Sequence, residues 1–291
     1  MSTPLSPPTT PLLAAERAEL EQILQQELLQ PVFQPIVDLR KGVVLGHEAL
    51  IRGPHDSELH TPVRLFKAAI RHGYQLQLEL LCRKLSLARF AELKLEGLLF
   101  LNVSASLLNS PDHQQGFTIE MLSWLGIPQD SIVIELSEQH PFDHQGLTRA
   151  AVEYYRSMGF QIAIDDLGVG YSGLRLWSEL QPEFVKIDKH FISDLDRDPV
   201  KREFVQSIGR IGRNLRCQTL AEGIERYEEM RTLQRMGIDL GQGFLLGVPA
   251  SPPQPLLRPE QIRRPLHVRS GDAVQKLFRL MRQPVLRPRG G

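Results

Sequence analysis

The stretch QIAIDDLGVGYSGLRLWSELQPEFVKI, residues 161–187, decides the fold class. Its apolar runs Gln161–Asp165 and Phe184–Ile187 predict two strands, and Gly173–Glu179 between them predicts a helix. Two strands that are joined through a helix are typical of parallel neighbours in one sheet. The stretch therefore predicts an α/β fold with parallel strands.

The same alternation continues on both sides of this stretch. The other predicted strands are Val32–Leu39, Val43–Arg52, Leu98–Val103, Ile132–Leu136, Gln218–Ala221 and Leu240–Leu246. The other predicted helices are Ala14–Gln30, Pro62–Arg71, Leu76–Leu93, Ile119–Leu125, Gly146–Met158, Val200–Leu215 and Tyr227–Met236. Eight strands with helices between most of them predict a TIM-like (β/α)8 barrel, a fold of about 250 residues. Because only residues 40–42 join the first two strands, we expect a modified barrel with an antiparallel first strand.

Composition divides the 291 residues into three parts. Residues 1–14 are rich in Ser, Thr and Pro and are expected to be disordered, and residues 15–250 are expected to form the barrel. Residues 251–291 contain nine Lys and Arg against two Asp and Glu, a net charge of +7, and their apolar run Val274–Met281 predicts a short helix. The chain as a whole has no net charge, so the barrel is acidic and the Pro- and Arg-rich tail is basic.

Several classes of protein are excluded by what the sequence lacks. No apolar run reaches the roughly 20 residues of a membrane span, and the first residues lack the basic and then apolar pattern of a signal peptide. We therefore expect a soluble, cytoplasmic protein. Cys82 and Cys217 have no metal-ligand spacing, which favours reduced thiols in or beside the core.

Polar residues recur where the predicted strands end, which is where barrel enzymes place their chemistry. They are Glu48, Arg52, Asn102, Glu135, Asp165, Asp166, Lys186, Glu222 and Gln242. A single one of them could be a buried polar group or a helix cap. Five carboxylates at one barrel mouth would repel one another unless cations neutralise them, so the set favours a metal site.

The ligand types define which metal is expected. Glu48, Asn102, Glu135, Asp165 and Asp166 offer only oxygen atoms, which suit Mg²⁺, Mn²⁺ or Ca²⁺ rather than Zn²⁺ or copper. Two adjacent aspartates with further carboxylates around them can hold two ions that share one carboxylate. Such a pair favours hydrolysis of a phosphoester.

Lys186 and the glycine-rich stretch after Asp165 each leave two interpretations open. Lys186 lies between apolar residues, so it either forms a buried salt bridge or orients water and stabilises phosphate charge. Residues 165–173, DDLGVGYSG, are either a mobile loop that carries the metal-binding aspartates or an ordinary turn before a helix.

The ordered series of motifs resembles the EAL-domain family of cyclic di-GMP phosphodiesterases. The series runs FQPIVDL, HEALIR, FLNVS, IELSE, DDLGVGYSGL, VKIDKHFI, AEGIE and GQGFLLGVP, and it spans Pro31 to Pro249. The resemblance implies a bacterial barrel that hydrolyses one phosphodiester of cyclic di-GMP to linear pGpG with two Mg²⁺ or Mn²⁺ ions. It also implies a homodimer through helices beside the metal loop, and no duplex nucleic acid partner is expected.

The resemblance also implies a role for each matching residue. Ligands of the first metal would be Glu48, Asn102, Glu135 and Asp165, while Asp165 bridges to a second site with Asp166. Glu222 is similar to the general base or second-site ligand, Lys186 to the water-orienting lysine and Gln242 to a glutamine near the substrate and the water network. Substrate contacts would come from Gln34, Leu50 and Arg52. Glu138, Glu225 and Asp188 would support the metal loop and the site.

The sequence departs from the family pattern in the metal loop, where Leu167, Val169 and Gly173 replace the usual Phe, Thr and Ser. Every acidic residue is retained, so the departure concerns the rate rather than the chemistry. A catalytically weak cyclic di-GMP receptor is the alternative function. A Schiff-base aldolase on Lys186 or a glycosidase would leave the other carboxylates without a role.

Overall fold

Eight strands close into a barrel in sequence order in the computed structural model, which describes residues 10–104, 117–137, 149–168 and 173–263. They are β1 (Gln30–Asp38), β2 (Val43–Arg52), β3 (Leu98–Asn102), β4 (Ile132–Ser137), β5 (Gln161–Leu167), β6 (Phe184–Ile187), β7 (Gln218–Ala221) and β8 (Leu240–Gly241). Strand β1 is antiparallel to both of its neighbours, β2 and β8, and every other pair is parallel. The predicted modified barrel with an antiparallel first strand is confirmed.

Helices surround the barrel wherever a parallel crossover requires one. The described helices are α1 (Thr10–Gln25), α2 (Pro62–His72), α3 (Gln75–Glu92), α4 (Phe117–Leu125), α5 (Arg149–Ser157), α6 (Gly173–Leu180), α7 (Lys189–Ile192), α8 (Pro199–Leu215), α9 (Tyr227–Met236) and α10 (Pro259–Arg263). No helix in these parts of the chain is long and apolar enough to cross a membrane. The predicted tail helix and residues 169–172 of the glycine-rich stretch lie outside the described residues.

Helix α1 differs from the sequence prediction at both of its ends. Helix α1 begins at Thr10, inside the segment expected to be disordered, because residues 12–15 are strong helix formers and a proline is tolerated in a first turn. The same helix ends at Gln25 rather than at residue 30, since Glu27 has a left-handed backbone (φ 53°) and Gln30 already pairs with Arg52.

Strand β8 is the second correction, since it stops at Gly241 rather than at Leu246. The chain turns immediately afterwards, where the Leu246 and Gly247 N–H groups both donate to the Gly243 carbonyl. An added Cβ on Gly243 would lie 2.2 Å from the Ile224 nitrogen, so glycine lets the two backbones approach closely.

The barrel interior is closed at one level by apolar side chains. They are Ile36, Phe100, Val133, Ala163, Phe184, Leu220 and Leu240, each from a different strand. Phe100 and Phe184 meet edge to face with ring centroids 5.2 Å apart. A larger apolar core fills the space between the outer face of the strands and the helices. Apolar side chains therefore fill the barrel at this level, and the polar residues lie at a different level.

Candidate metal centre and active site

The polar residues form a layer directly above the apolar level of the barrel. Asn102, Glu135, Asp165, Lys186, Glu222 and Gln242 each follow an interior apolar residue by two positions. Because side chains alternate along a strand, a step of two residues keeps the side chain on the interior face and raises it towards the carboxyl end. On β1 and β2, Gln34 lies opposite Glu48 in the antiparallel register, which brings both into the same layer. The structure thus brings the predicted site residues together at the barrel mouth.

Lys186 lies at the centre of this layer. Its Nζ is 2.8 Å from Glu135, 2.9 Å from Glu222, 3.2 Å from Asp165 and 3.5 Å from Glu48. The lysine side chain is fully buried, and so is that of Glu135. One cation among four carboxylates leaves an excess of negative charge, and Asp166 adds to it.

Burial and charge shift the pKa values within the layer. Burial raises the pKa of Glu135 well above its usual range against the opposing effect of Lys186, and it raises the pKa of Glu222 to about 8. Burial would lower the pKa of Lys186, yet Asp165, Glu135, Glu222 and Glu48 together raise it well above normal. The lysine is therefore held as a cation.

Glu48 differs from Glu135 because two side-chain amides donate hydrogen bonds to its carboxylate. Burial favours its neutral form, but Lys186 and two amide hydrogen bonds lower its pKa overall. The Gln242 Nε2 donates to Oε2 over 2.6 Å, and the Asn102 Nδ2 donates to Oε1 over 3.1 Å. Gln242 also donates to Gln34, whose own amide donates to the Gly247 carbonyl, each over 3.0 Å. The two glutamines fix the position of the Glu48 carboxylate.

Asp165 and Asp166 both reach the mouth because strand β5 is irregular. The register against β6 shifts between Ile164 and Leu167, and Asp166 has a left-handed backbone (φ 57°). In a regular strand, adjacent side chains point to opposite faces, so the irregularity is what turns the second aspartate towards the first. One oxygen from each of Asp165, Asp166 and Glu222 can be chosen so that all three lie within 4.8 Å of one another.

The residues present fit divalent metal ions. Both carboxylate oxygens of Glu135 are buried; Oε1 lies 2.8 Å from the Lys186 ammonium, and Oε2 has no hydrogen-bond partner within the described residues. An unpartnered buried acceptor costs free energy unless a cation satisfies it. The donor set contains only carboxylate and amide oxygens, as Mg²⁺ and Mn²⁺ prefer.

Two of the predicted substrate-contacting residues, Leu50 and Arg52, lie on β2, the strand that also carries Glu48. Arg52 is half-buried, forms no ion pair in the described part of the chain, and donates to the Ile51 carbonyl over 2.8 Å. Burial lowers the pKa of its guanidinium. Leu50 lines a cavity of about 370 Å³, which also borders Glu48, Asn102 and Glu135.

Of the three predicted supporting residues, two lie in the described part of the chain, and each forms a contact that the structure defines. Asp188 caps helix α7 by accepting the His190 N–H over 2.8 Å. Glu225 pairs with Lys189 on the surface. Glu138 lies outside the described residues.

Sequence reasoning passed over Glu79, a buried acid of helix α3 that also borders the cavity. A signal was present, since Glu79 stands inside the apolar run from Leu78 to Leu81. Charged residues at such positions are seldom buried without a specific partner.

The fold and the site define a TIM-like barrel protein with a cluster of acidic residues, suited to divalent metal ions, at the carboxyl ends of its strands. Comparison with known families identifies the particular group. The model of the EAL domain matches residues 17–249, and the chain belongs to the EAL domain family.

Relatives and solved structures agree with this assignment. The chain is 31% identical over 228 residues to a probable cyclic di-GMP phosphodiesterase, PdeI of Escherichia coli K12, covering 75% of this chain and 28% of that protein. The Klebsiella pneumoniae BlrP1 manganese and cyclic di-GMP complex is 34% identical with a TM-score of 0.69, covering 77% and 56% of the two chains. A standalone EAL protein from Vibrio cholerae O395 in its cyclic di-GMP bound form is 30% identical with a TM-score of 0.67, covering 76% and 92%. The chain spans 28 to 34% of the length of the curated relatives that it matches first.

Proposed function

We propose that this barrel is a metal-dependent phosphodiesterase that hydrolyses cyclic di-GMP to linear pGpG in bacterial signalling. The observation that carries the proposal is the convergence of Glu48, Glu135, Asp165 and Glu222 around Lys186 at the barrel mouth. The similarity to proteins named as cyclic di-GMP phosphodiesterases, or solved with that nucleotide, supports the choice of substrate.

The chain offers two overlapping sets of metal ligands. Glu48, Asn102, Glu135 and Asp165 would hold one ion, and Asp165, Asp166 and Glu222 would hold a second. When bound, Mg²⁺ or Mn²⁺ would polarise the scissile phosphate and lower the pKa of a water molecule that attacks it. The excess of carboxylates over cations in the layer supports a requirement for two divalent ions.

Protein groups then have distinct tasks around the phosphodiester. The Lys186 ammonium donates hydrogen bonds that orient the attacking water and offsets charge on the phosphate. Glu222 lies beside Lys186 and takes the proton of that water as general base, or serves as a ligand. Gln242 keeps Glu48 in place and contacts the water network.

Substrate binding falls to residues along β1 and β2. Arg52 has a guanidinium without an ion-pair partner among the described residues, which suits a phosphate oxygen. Leu50 presents an apolar surface from the same face of the strand. Gln34, whose side-chain amide bonds to Gly247 and Gln242, is the third proposed contact. The metal loop differs from the family pattern at Leu167, Val169 and Gly173, and we expect these changes to affect the turnover rate rather than the reaction.

Hydrolysis of cyclic di-GMP by the purified chain tests the proposal. We expect pGpG in the presence of Mg²⁺ or Mn²⁺, none after EDTA, and none from Glu48→Ala or Glu222→Ala. Nucleotide binding without product in the metal-loaded protein would refute the enzyme and favour the receptor. A homodimer and a cytoplasmic location belong to the same proposal, and light scattering and cell fractionation test them.

A further inference from the structure

The position of Asn102 depends on the backbone that carries it. Asn102 is an exposed residue at the last position of β3, and its side-chain amide donates to Glu48 over 3.1 Å. The described residues supply no other hydrogen bond to this side chain. Because the Asn102 side chain is not packed in the core, the position of the backbone at the end of β3 determines where its amide points.

Two hydrogen bonds fix the residues that follow Asn102. The Val103 N–H donates to the Glu135 carbonyl over 3.1 Å, which continues the pairing of β3 with β4. The Ser104 N–H donates to the Glu79 Oε2 over 3.2 Å. Glu79 lies on helix α3, outside the strands, and is only 8% exposed. A helix side chain thus completes the hydrogen bonding of a strand end that carries a candidate metal ligand.

The carboxyl group of Glu79 faces neutral donors rather than a cation. Its other oxygen accepts from the Gln75 Nε2 over 3.0 Å, and the same amide lies 3.4 Å from the Ser104 Oγ. Glu79 forms no salt bridge in the described parts of the chain. Burial of an acid costs free energy, and these hydrogen bonds offset that cost. The hydrogen bond from the Ser104 N–H also orders the backbone segment that contains Ser104.

We propose that Glu79 is a positioning residue for the metal centre. By holding the Ser104 N–H, it fixes the end of β3 so that the Asn102 side chain stays beside Glu48 and Glu135. The inference rests on the proposed function, since it assumes that these residues hold a divalent ion. Residues that support metal ligands without touching the ion change metal affinity by about 10- to 100-fold when they are lost.

Direct binding of Mn²⁺, measured by calorimetry on the full chain, tests the role. Glu79→Met fills the same volume without an acceptor, whereas Glu79→Gln keeps a carbonyl oxygen for the Ser104 N–H. We expect Mn²⁺ affinity to fall about 10-fold or more in Glu79→Met and to stay within about threefold of the parent in Glu79→Gln. Glu92→Met is the matched control, because Glu92 lies on the same helix but pairs with Arg89 on the surface.

The rate of hydrolysis at saturating Mn²⁺ separates a role in positioning the metal site from a merely structural role. At saturating Mn²⁺ we expect the rate of Glu79→Met to recover, because the reacting groups are untouched. Equal Mn²⁺ affinity in Glu79→Met and Glu79→Gln would overturn the inference. If Glu79→Met does not fold, Glu79→Asp replaces it under the same criterion, since the shorter acid withdraws from the Ser104 N–H. Failure of the parent chain to hydrolyse cyclic di-GMP refutes the proposed function alone, because the Mn²⁺ affinities still decide this inference.

Discussion

The Lys186 ammonium lies 2.8 Å from Glu135 in the interior of the barrel, and both side chains are buried. The pair is part of a cluster in which the lysine also contacts Asp165, Glu222 and Glu48. Buried ions are tolerated only when their charges are compensated. Lys186 is therefore a structural element of the barrel as well as a candidate catalytic group.

Loss of this lysine is expected to destabilise the fold. Lys186→Met leaves the four carboxylates without their cation, and removal of one member of a buried ion pair costs about 3–5 kcal/mol of the free energy of unfolding. Urea denaturation measures the change. Lys189→Met is the control, since Lys189 pairs with Glu225 on the surface and such pairs contribute about 0–1 kcal/mol. Equal costs for the two substitutions would show that the buried cluster does not need its cation.

The hydrogen bond from Gln242 to Glu48 gives a second prediction. Gln242→Leu removes a 2.6 Å donor from the carboxylate and leaves the Gln34 carbonyl oxygen without the bond it accepts. We expect the Mn²⁺ concentration for half-maximal hydrolysis to rise about 10-fold or more, because Glu48 is no longer held in place. Activity measured across a Mn²⁺ series checks this. Gln206→Leu, at an exposed position of α8, should leave the value unchanged.

Much of this site follows from the alternation of side chains in the strands. Asn102, Glu135, Asp165, Lys186 and Gln242 could be placed together from sequence, because each lies two positions beyond an apolar residue of a predicted strand. The closure of the barrel then determines which of these residues lie on neighbouring strands.

Other features depend on contacts between distant segments and could not be predicted. The irregularity that turns Asp166 inward is a property of the β5 and β6 pairing. Asp188 precedes a four-residue helix, and the cap that it forms there is visible only in the structure. The link from Glu79 to Ser104 joins residues 25 positions apart on a helix and a strand end.

The two thiols provide a prediction with a defined pH dependence. Burial raises the pKa of Cys82 and of Cys217 to about 12 in each case, and neither forms a disulfide. The thiolate is the reactive form, so a shift from 9 to about 12 lowers its fraction at pH 8 by about a thousandfold. The raised pKa means that reactivity increases as the pH rises towards 12.

Reaction with a chromogenic disulfide reagent measures these thiols. We expect both to react at least about 100-fold more slowly at pH 8 in the native protein than in urea, with the native rate rising as the pH is raised while the protein stays folded. Native and denatured rates within tenfold of each other at pH 8 would contradict the raised pKa of the thiols.

Two acidic clusters in the described chain allow the metal centre to be tested against an internal control. Asp165, Asp166 and Glu222 form the cluster at the barrel mouth, and Asp194, Asp196 and Glu229 form another near the start of α9. The clusters resemble each other in spacing but differ in what faces them.

The second cluster surrounds a guanidinium that contacts all three of its carboxylates. Arg226 lies 3.2 Å from Asp194 and 3.1 Å from Glu229, and it also pairs with Asp196. Glu229 in turn accepts the backbone N–H groups of Asp194 and Glu225 over 3.0 Å each. The acceptors of Glu229 are therefore satisfied, whereas Oε2 of the buried Glu135, beside the first cluster, has no hydrogen-bond partner among the described residues.

Mn²⁺ should consequently stabilise the protein through the first cluster alone. An ion at 100 times its dissociation constant adds about 2.7 kcal/mol to the free energy of unfolding, which is about 5–10 °C in Tm for a domain of this size. We expect this increment to vanish in Asp165→Asn and to persist in Asp196→Asn, whatever each substitution does to the metal-free protein. Thermal unfolding with and without Mn²⁺ measures the increment directly. An increment that survives Asp165→Asn but disappears in Asp196→Asn would place the ion at the arginine-filled cluster and remove the metal centre from the barrel mouth.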